Sequence, residues 1–387
     1  MSNAIDFEFH AYNENKFPKF KDISGPSPFW NKYREGPSFI FPESQDQPLL
    51  PSGKLDELYG RNIQDKTPLL GSTYSESVRL VDLLKDDDFI RDLAIKISQR
   101  GVVIFKKQDD ITVEQQKELV QRLGLLSGKP PRNGRHIHPV APAGGVFNRF
   151  GIIDPEIFTI SNRLDKQYSR ENSYKPSAHT WHSDITFEPV PADYSLLRMV
   201  NIPPSGGDTF WANGYALYEK LSPSFRLYLE TLTGTFSKPN FKEISKKGGF
   251  KIYSDERGAP ENIGDDLIAI HPVVRTNPVT GWKSVFSVGQ HFTKFNEVTP
   301  LESELLKNFI WNLLVQSYDI HARHKWDRND IAIWDNRSTY HAINLDVIFY
   351  DNYLRTGIRT IGIGERPYLN QESTTQTEGL SKKKKKK

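Results

Sequence analysis

Three side chains stand out for the chemistry they could perform together. His182 and Asp184 sit two positions apart in Thr180-Trp181-His182-Ser183-Asp184-Ile185-Thr186-Phe187. On a β-strand, where side chains alternate, that spacing puts the imidazole and the carboxylate on one face. One distant histidine would complete a set of two His and one carboxylate. Such a set covers one face of an octahedral Fe(II) and leaves positions open for a cosubstrate and oxygen. His341 ends Ile331-Ala332-Ile333-Trp334-Asp335-Asn336-Arg337-Ser338-Thr339-Tyr340-His341, where an apolar strand and a polar turn can bring it in from a remote part of a sheet. The same pieces also make an ordinary polar pair and a satisfied histidine. The other histidines compete poorly. His321 and His324 should face opposite sides of an alternating segment, and His136 with His138 occupies a Pro-rich loop with no acid nearby.

Anion chemistry is the second signal. Arg355 and Arg359 follow His341, and each guanidinium offers a planar fork to a carboxylate or sulfonate. A strand arginine can equally be a surface ion-pair partner. Pro203-Pro204-Ser205-Gly206-Gly207-Asp208-Thr209-Phe210-Trp211 reads as a tight Gly turn into a strand, with the Thr209 hydroxyl available to an anion.

The elements that must position these groups follow from patterning. The first 75 or so residues show no sustained period and read as an extended N-terminal arm, 1–75. Ile90, Leu93, Ala94 and Ile97 form one helical stripe, which Gly101 stops. Val102 to Phe105 read as a short buried strand. A second helix starts at the capping-box spacing of Thr112 with Gln115 and ends at Gly124. From about Ile153 short apolar runs alternate with turn residues, which predicts a β-rich core within a domain spanning 76–370. Helices starting at Ser222-Pro223 and Thr299-Pro300 interrupt it, the second with Leu305, Phe309 and Leu313 spaced four apart. Residues 371–387 read as a polar, lysine-rich, disordered tail.

Composition narrows the function classes. The 387 residues contain no cysteine, so disulfides, thiolate metal sites and a Cys nucleophile are excluded, and any metal must be held by His, Asp or Glu. The formal charge is +3, but Lys382 to Lys387 form a terminal run, so the rest of the chain is net negative and shows no bias toward nucleic acid. No stretch approaches the roughly 18 apolar residues of a membrane span, which points to a soluble, cytoplasmic protein with no membrane partner.

The segments WHSDITF, GGDTFWAN, HPVVRTNPVTGWKSVF and WDNRSTYHA, followed by the Arg355/Arg359 pair, occur in an order that resembles the taurine/2-oxoglutarate dioxygenase family of Fe(II)-dependent oxygenases. The match runs from about Glu76 to Tyr368. The resemblance implies a mainly β fold with flanking helices, a double-stranded β-helix or jelly roll. It implies His182, Asp184 and His341 as ligands of Fe(II), and Thr209 and Arg355 as the grip on the distal carboxylate of 2-oxoglutarate, the cosubstrate used with O2. Arg359 matches the arginine that holds a sulfonate, and His138 the second substrate-binding histidine. Two positions depart from the taurine pattern: Ala141 stands where a Tyr is usual and Ala178 where an Asn is usual, which removes polar contacts and adds room. The implied reaction hydroxylates the carbon beside a sulfonate or sulfate ester and releases sulfite or sulfate, an aldehyde, succinate and CO2. The same chemistry on a carboxylate or a xanthine-like purine is the alternative; a non-catalytic jelly-roll binder or a zinc hydrolase is a more distant one. Family members often form homo-oligomers. Phe187 and Phe286 are candidates for shielding the iron, or are plain core residues.

Overall fold

The computed structural model describes residues 48–140, 145–147, 153–162, 176–349 and 354–384. Its main sheet has eight strands: β1 (Ile63–Asp65), β2 (Ser72–Tyr74), β3 (Val102–Phe105), β4 (Gly145–Phe147), β5 (Ile153–Ser161), β6 (Ala192–Asn201), β9 (Ile331–Asp335) and β11 (Thr356–Ile363). Their spatial order is β1-β2-β3-β9-β6-β11-β5-β4. A smaller sheet pairs β7 (Thr209–Asn213) between β8 (His321–His324) and β10 (Thr339–Ile343). Together with the flanking helices they form a jelly roll.

Alternation of side chains shows why β3 is apolar throughout. Val102 and Ile104 join Leu197, Trp211, Ala332 and Trp334 in a core between the two sheets. Val103 and Phe105 point the other way, onto α2 (Asp87–Arg100) and α3 (Val113–Leu126). A strand covered on both faces has no position for a polar residue. Each large side chain buried in this layer contributes about 2 kcal/mol of hydrophobic stabilisation. The α2 stripe of Ile90, Leu93, Ala94 and Ile97 is buried as the periodicity predicts, and the Thr112/Gln115 capping box is formed.

Several expectations are corrected. Residues 48–75 are not an arm: α1 (Lys54–Tyr59), β1 and β2 belong to the folded body, with Leu55 buried and β2 parallel to β3. Residues 1–47 lie outside the described ones. Gly124 does not end α3; a Cβ there would meet Asp193 Oδ2 at 2.4 Å, so the glycine serves close packing inside the helix. In α6 (Pro300–Gln316) the buried residues are Ser303, Ile310 and Leu314, while Leu305 and Phe309 are exposed. The remaining helices include α4 (Pro223–Glu230) and α5 (Asn240–Gly248). The predicted disordered tail instead forms α7 (Gln376–Lys384), anchored by buried Gln376, whose side chain accepts from Asn213 Nδ2 at 2.9 Å.

Candidate metal and substrate site

His182 is not on a regular strand. It forms a single antiparallel bridge with His341: His182 N–H donates to His341 O at 3.0 Å, and His341 N–H donates to His182 O at 2.8 Å. Residues bonded directly opposite each other project to the same side. Two histidines remote in sequence thereby become neighbours, with ring centroids 4.1 Å apart. Asp184 reaches them from the turn that follows, where Ile185 has φ 47°. The alternation argument for His182 and Asp184 is therefore corrected: a turn, not a strand, brings them together.

Asn336 holds that turn. Its Oδ1 accepts from the Asp184 backbone N–H at 3.1 Å, its Nδ2 donates to Ser195 Oγ at 2.8 Å, and Ser183 Oγ donates to its carbonyl at 2.6 Å. Ser195 in turn donates to Asp184 Oδ2 at 2.7 Å. That leaves Asp184 Oδ1 facing both imidazoles, 3.7 Å from His182 Nε2 and 3.8 Å from His341 Nε2. Those separations exceed a hydrogen bond, so the three groups are arranged around a common point rather than bonded to one another. Their donor atoms all lie within 4.8 Å of each other.

The protonation states suit a metal. His182 Nδ1 lies 2.6 Å from the carbonyl of Thr180, so it carries the proton and leaves the Nε2 lone pair toward Asp184. Burial lowers the His182 pKa against the pull of Asp184, and burial beside His182 lowers that of His341 to about 3. Burial alone would raise Asp184, but Arg359, His341 and His182 hold it well below the usual carboxylate range. Two neutral imidazoles and one carboxylate are the donor set of a non-haem Fe(II) site with open positions, and the residues fit that ion. Arg359 Nη1 donates to the same Asp184 Oδ1 at 2.7 Å.

Arg355, the other arginine of the pair, packs behind Gly207. Arg355 is buried; its Nε donates to Gly207 O at 2.8 Å and its Nη2 to Thr209 Oγ1 at 3.3 Å. A Cβ on Gly207, whose φ is +69°, would meet Arg355 Cδ at 2.8 Å, so only glycine lets the arginine lie this close. Trp326 Nε1 also donates to Thr209 Oγ1, at 3.0 Å.

Arg359 and Phe158 are cross-strand partners on β11 and β5, with the guanidinium 5.6 Å over the ring. His138 stacks on the same ring at 4.1 Å, so the structure brings it to the Arg359 side of the site. His136 does have an acid beside it: Glu188 Oε1 lies 3.3 Å from its Nε2. Phe187 packs on His291 near His182, whereas Phe286 packs on Phe236, His271 and Arg275 away from the ligands. Ala178 is half-buried against the apolar cluster around Trp181, and Ala141 lies outside the described residues. Sequence reasoning missed Ser195, Asn336, Trp326 and His291. Only Asn336, inside WDNRSTYHA, stood in a segment already singled out together with the ligands.

Comparison with known proteins agrees with this geometry. The family described as "Taurine catabolism dioxygenase TauD, TfdA family" matches residues 64–349. The α-ketoglutarate-dependent dioxygenase esdpJ of Penicillium shearii is 42% identical over 353 residues, covering 82% of this chain and 92% of that one. An α-ketoglutarate-dependent sulfonate dioxygenase of Saccharomyces cerevisiae is 29% identical over 377 residues, covering 94% and 83%. The crystal structure of a taurine dioxygenase from Burkholderia xenovorans superposes with a TM-score of 0.59 at 25% identity, covering 79% of this chain and 92% of that one. The chain belongs to the TauD, TfdA family and is a 2-oxoglutarate-dependent dioxygenase, an oxidoreductase. Among the described residues no helix is long and apolar enough to cross a membrane.

Proposed function

We propose that the enzyme hydroxylates the carbon next to a sulfonate or sulfate ester, releasing sulfite or sulfate and an aldehyde as 2-oxoglutarate becomes succinate and CO2. The observation that carries this reading is the Arg359 guanidinium, buried and in contact with the carboxylate of the metal corner. A fixed cation there binds an anion with the neighbouring carbon beside the reactive centre. The sulfonate dioxygenase of Saccharomyces cerevisiae supports the choice of anion.

In this reading His182 Nε2, the Asp184 carboxylate and His341 Nε2 hold Fe(II), which supplies the oxidation chemistry when bound with O2 and 2-oxoglutarate. Arg355 takes the distal carboxylate of 2-oxoglutarate, with Thr209 beside it. Arg359 leaves Asp184 to bind the substrate anion. His138 is the second contact: its Nδ1 accepts from the Val140 N–H at 3.3 Å, so its neutral ring presents an Nε2–H donor. Ser195 and Asn336 keep the Asp184 carboxylate oriented throughout. The substrate is a small anion, and the reading assigns the enzyme no nucleic-acid or membrane partner.

The test is succinate and sulfite release by Fe(II)-loaded protein with 2-oxoglutarate and ascorbate across sulfonates, sulfate esters, carboxylates and purines. Sulfite should rise in step with succinate for a sulfonate. Arg359→Ala should raise KM for that substrate about 10- to 100-fold, the loss of one charge-assisted contact. Succinate without sulfite, or an unchanged KM, would move the substrate to another anion.

A further inference from the structure

From Arg359 a run of ring contacts leads away from the metal corner and returns to it. Phe158 lies under the guanidinium; His138 stacks on Phe158, and Phe241 packs on His138 with centroids 5.1 Å apart. Phe241 then meets Phe187 at 5.7 Å, Phe187 meets His291 at 5.2 Å, and His291 meets the ligand His182 at 5.6 Å. His182 and Arg359 both face Asp184, which closes the circuit. Among the described residues no hydrogen bond or ring contact crosses it. Its eight members form a closed belt that includes the metal corner.

The chemistry of the belt is specific. Besides Asp184, which faces both ligand histidines, it contains no carboxylate. Glu188, the nearest buried acid, already receives two bonds from Arg257, at 2.5 and 2.9 Å. Lys238 sits 5.7 Å over Phe241, adding a second cation. Among the described residues an ammonium on the substrate would therefore meet like charge and no counter-ion in the belt besides Asp184. Three phenyl rings favour a flat apolar body. His291 is the polar exception: its Nδ1 is paired with Thr186 Oγ1 at 3.0 Å, and its Nε2 makes no hydrogen bond among the described residues.

Resting on the sulfonate reading above, we propose that the belt seats an anionic substrate whose body is ring-bearing and carries no positive charge. His291 is its specificity-determining residue, hydrogen-bonding a polar group on that body. Neither role is assigned by the ligand set.

Anaerobic calorimetry on Fe(II)- and 2-oxoglutarate-loaded protein tests this with ethanesulfonate, taurine, 2-phenylethanesulfonate, its three ring-hydroxylated isomers and 3-phenylpropanoate. The phenyl sulfonate should bind about tenfold tighter than ethanesulfonate, and taurine more weakly than either. Phe241→Ala should remove most of the phenyl preference. One hydroxylated isomer should bind about tenfold tighter than the parent, and His291→Phe should abolish that gain, lowering affinity for this isomer about tenfold more than for the parent. Taurine binding as tightly as the phenyl sulfonate, a preference untouched by Phe241→Ala, or no probe binding at all would overturn the seat. Absence of any isomer preference would overturn the role of His291. Phenylpropanoate binding as well as phenylethanesulfonate would sink the sulfonate reading and leave the belt standing.

Discussion

Two buried arginine–carboxylate pairs lie close together in this molecule and are built to opposite ends. Arg337 and Asp335 are locked. Both carboxylate oxygens accept from the guanidinium at 2.8 Å, Ser98 and Asn277 donate to Oδ2, and the guanidinium stacks over Tyr194 at 4.7 Å. Arg359 and Asp184 share a single bond, and among the described residues neither Arg359 Nε nor His341 Nδ1 has a hydrogen-bond partner. A buried pair with every lone pair answered is structural. One with unanswered donors is poised to exchange partners, and in the proposed function the incoming partners are a metal ion and an anion.

The largest test of that contrast is Asp335→Ala, which takes both hydrogen-bonded carboxylate oxygens from Arg337 and leaves it Glu365, 3.6 Å away, as counter-charge. It should cost about 3–5 kcal/mol of stability in urea unfolding, as breaking one side of a buried pair does. Acid gives a second measure, on the turn that carries Asp184. His271 Nε2–H donates to Thr186 O at 2.9 Å, and burial lowers its pKa to about 4. The unfolded chain then binds a proton that the folded one refuses, so stability is lost as pH falls through about 6.5 toward 4. From this residue the loss at pH 5 is on the order of 2 kcal/mol, and His271→Gln, which cannot titrate, should show a smaller drop between pH 7 and pH 5. The smallest effect sharpens the exchangeable side. In metal-free protein Arg359 neutralises Asp184; with metal bound it need not. Fe(II) or a redox-inert substitute should therefore stabilise Arg359→Ala more than the unsubstituted protein, by about 1 kcal/mol in thermal unfolding. Equal stabilisation of both would mean that Arg359 and the metal do not compete for the same oxygen.

Legibility differed residue by residue. The α2 stripe and the two capping boxes were readable because they rest on spacings of three and four, which local geometry fixes. The apolar faces of α6 were not, since Leu305 and Phe309 satisfy the helical period while tertiary packing buries Ile310 and Leu314 instead. His138 as a partner of Arg359 came from resemblance; its physical basis, the shared Phe158 ring, is a cross-strand contact that no local pattern encodes.

The sequence by itself determined the chemistry available: no thiolates, two histidines and an aspartate in order, and two arginines four positions apart. It also determined where α3, α4 and α6 begin and that Val102–Phe105 is a buried strand. Only the tertiary structure decided that His182 and His341 are one hydrogen-bonded pair and that a turn clamped by Asn336 presents Asp184 to them. Only it separated the locked arginine from the exchangeable one. The reason is physical: residue type and short-range period are local properties, whereas register, burial and the count of satisfied lone pairs exist only once remote strands have met.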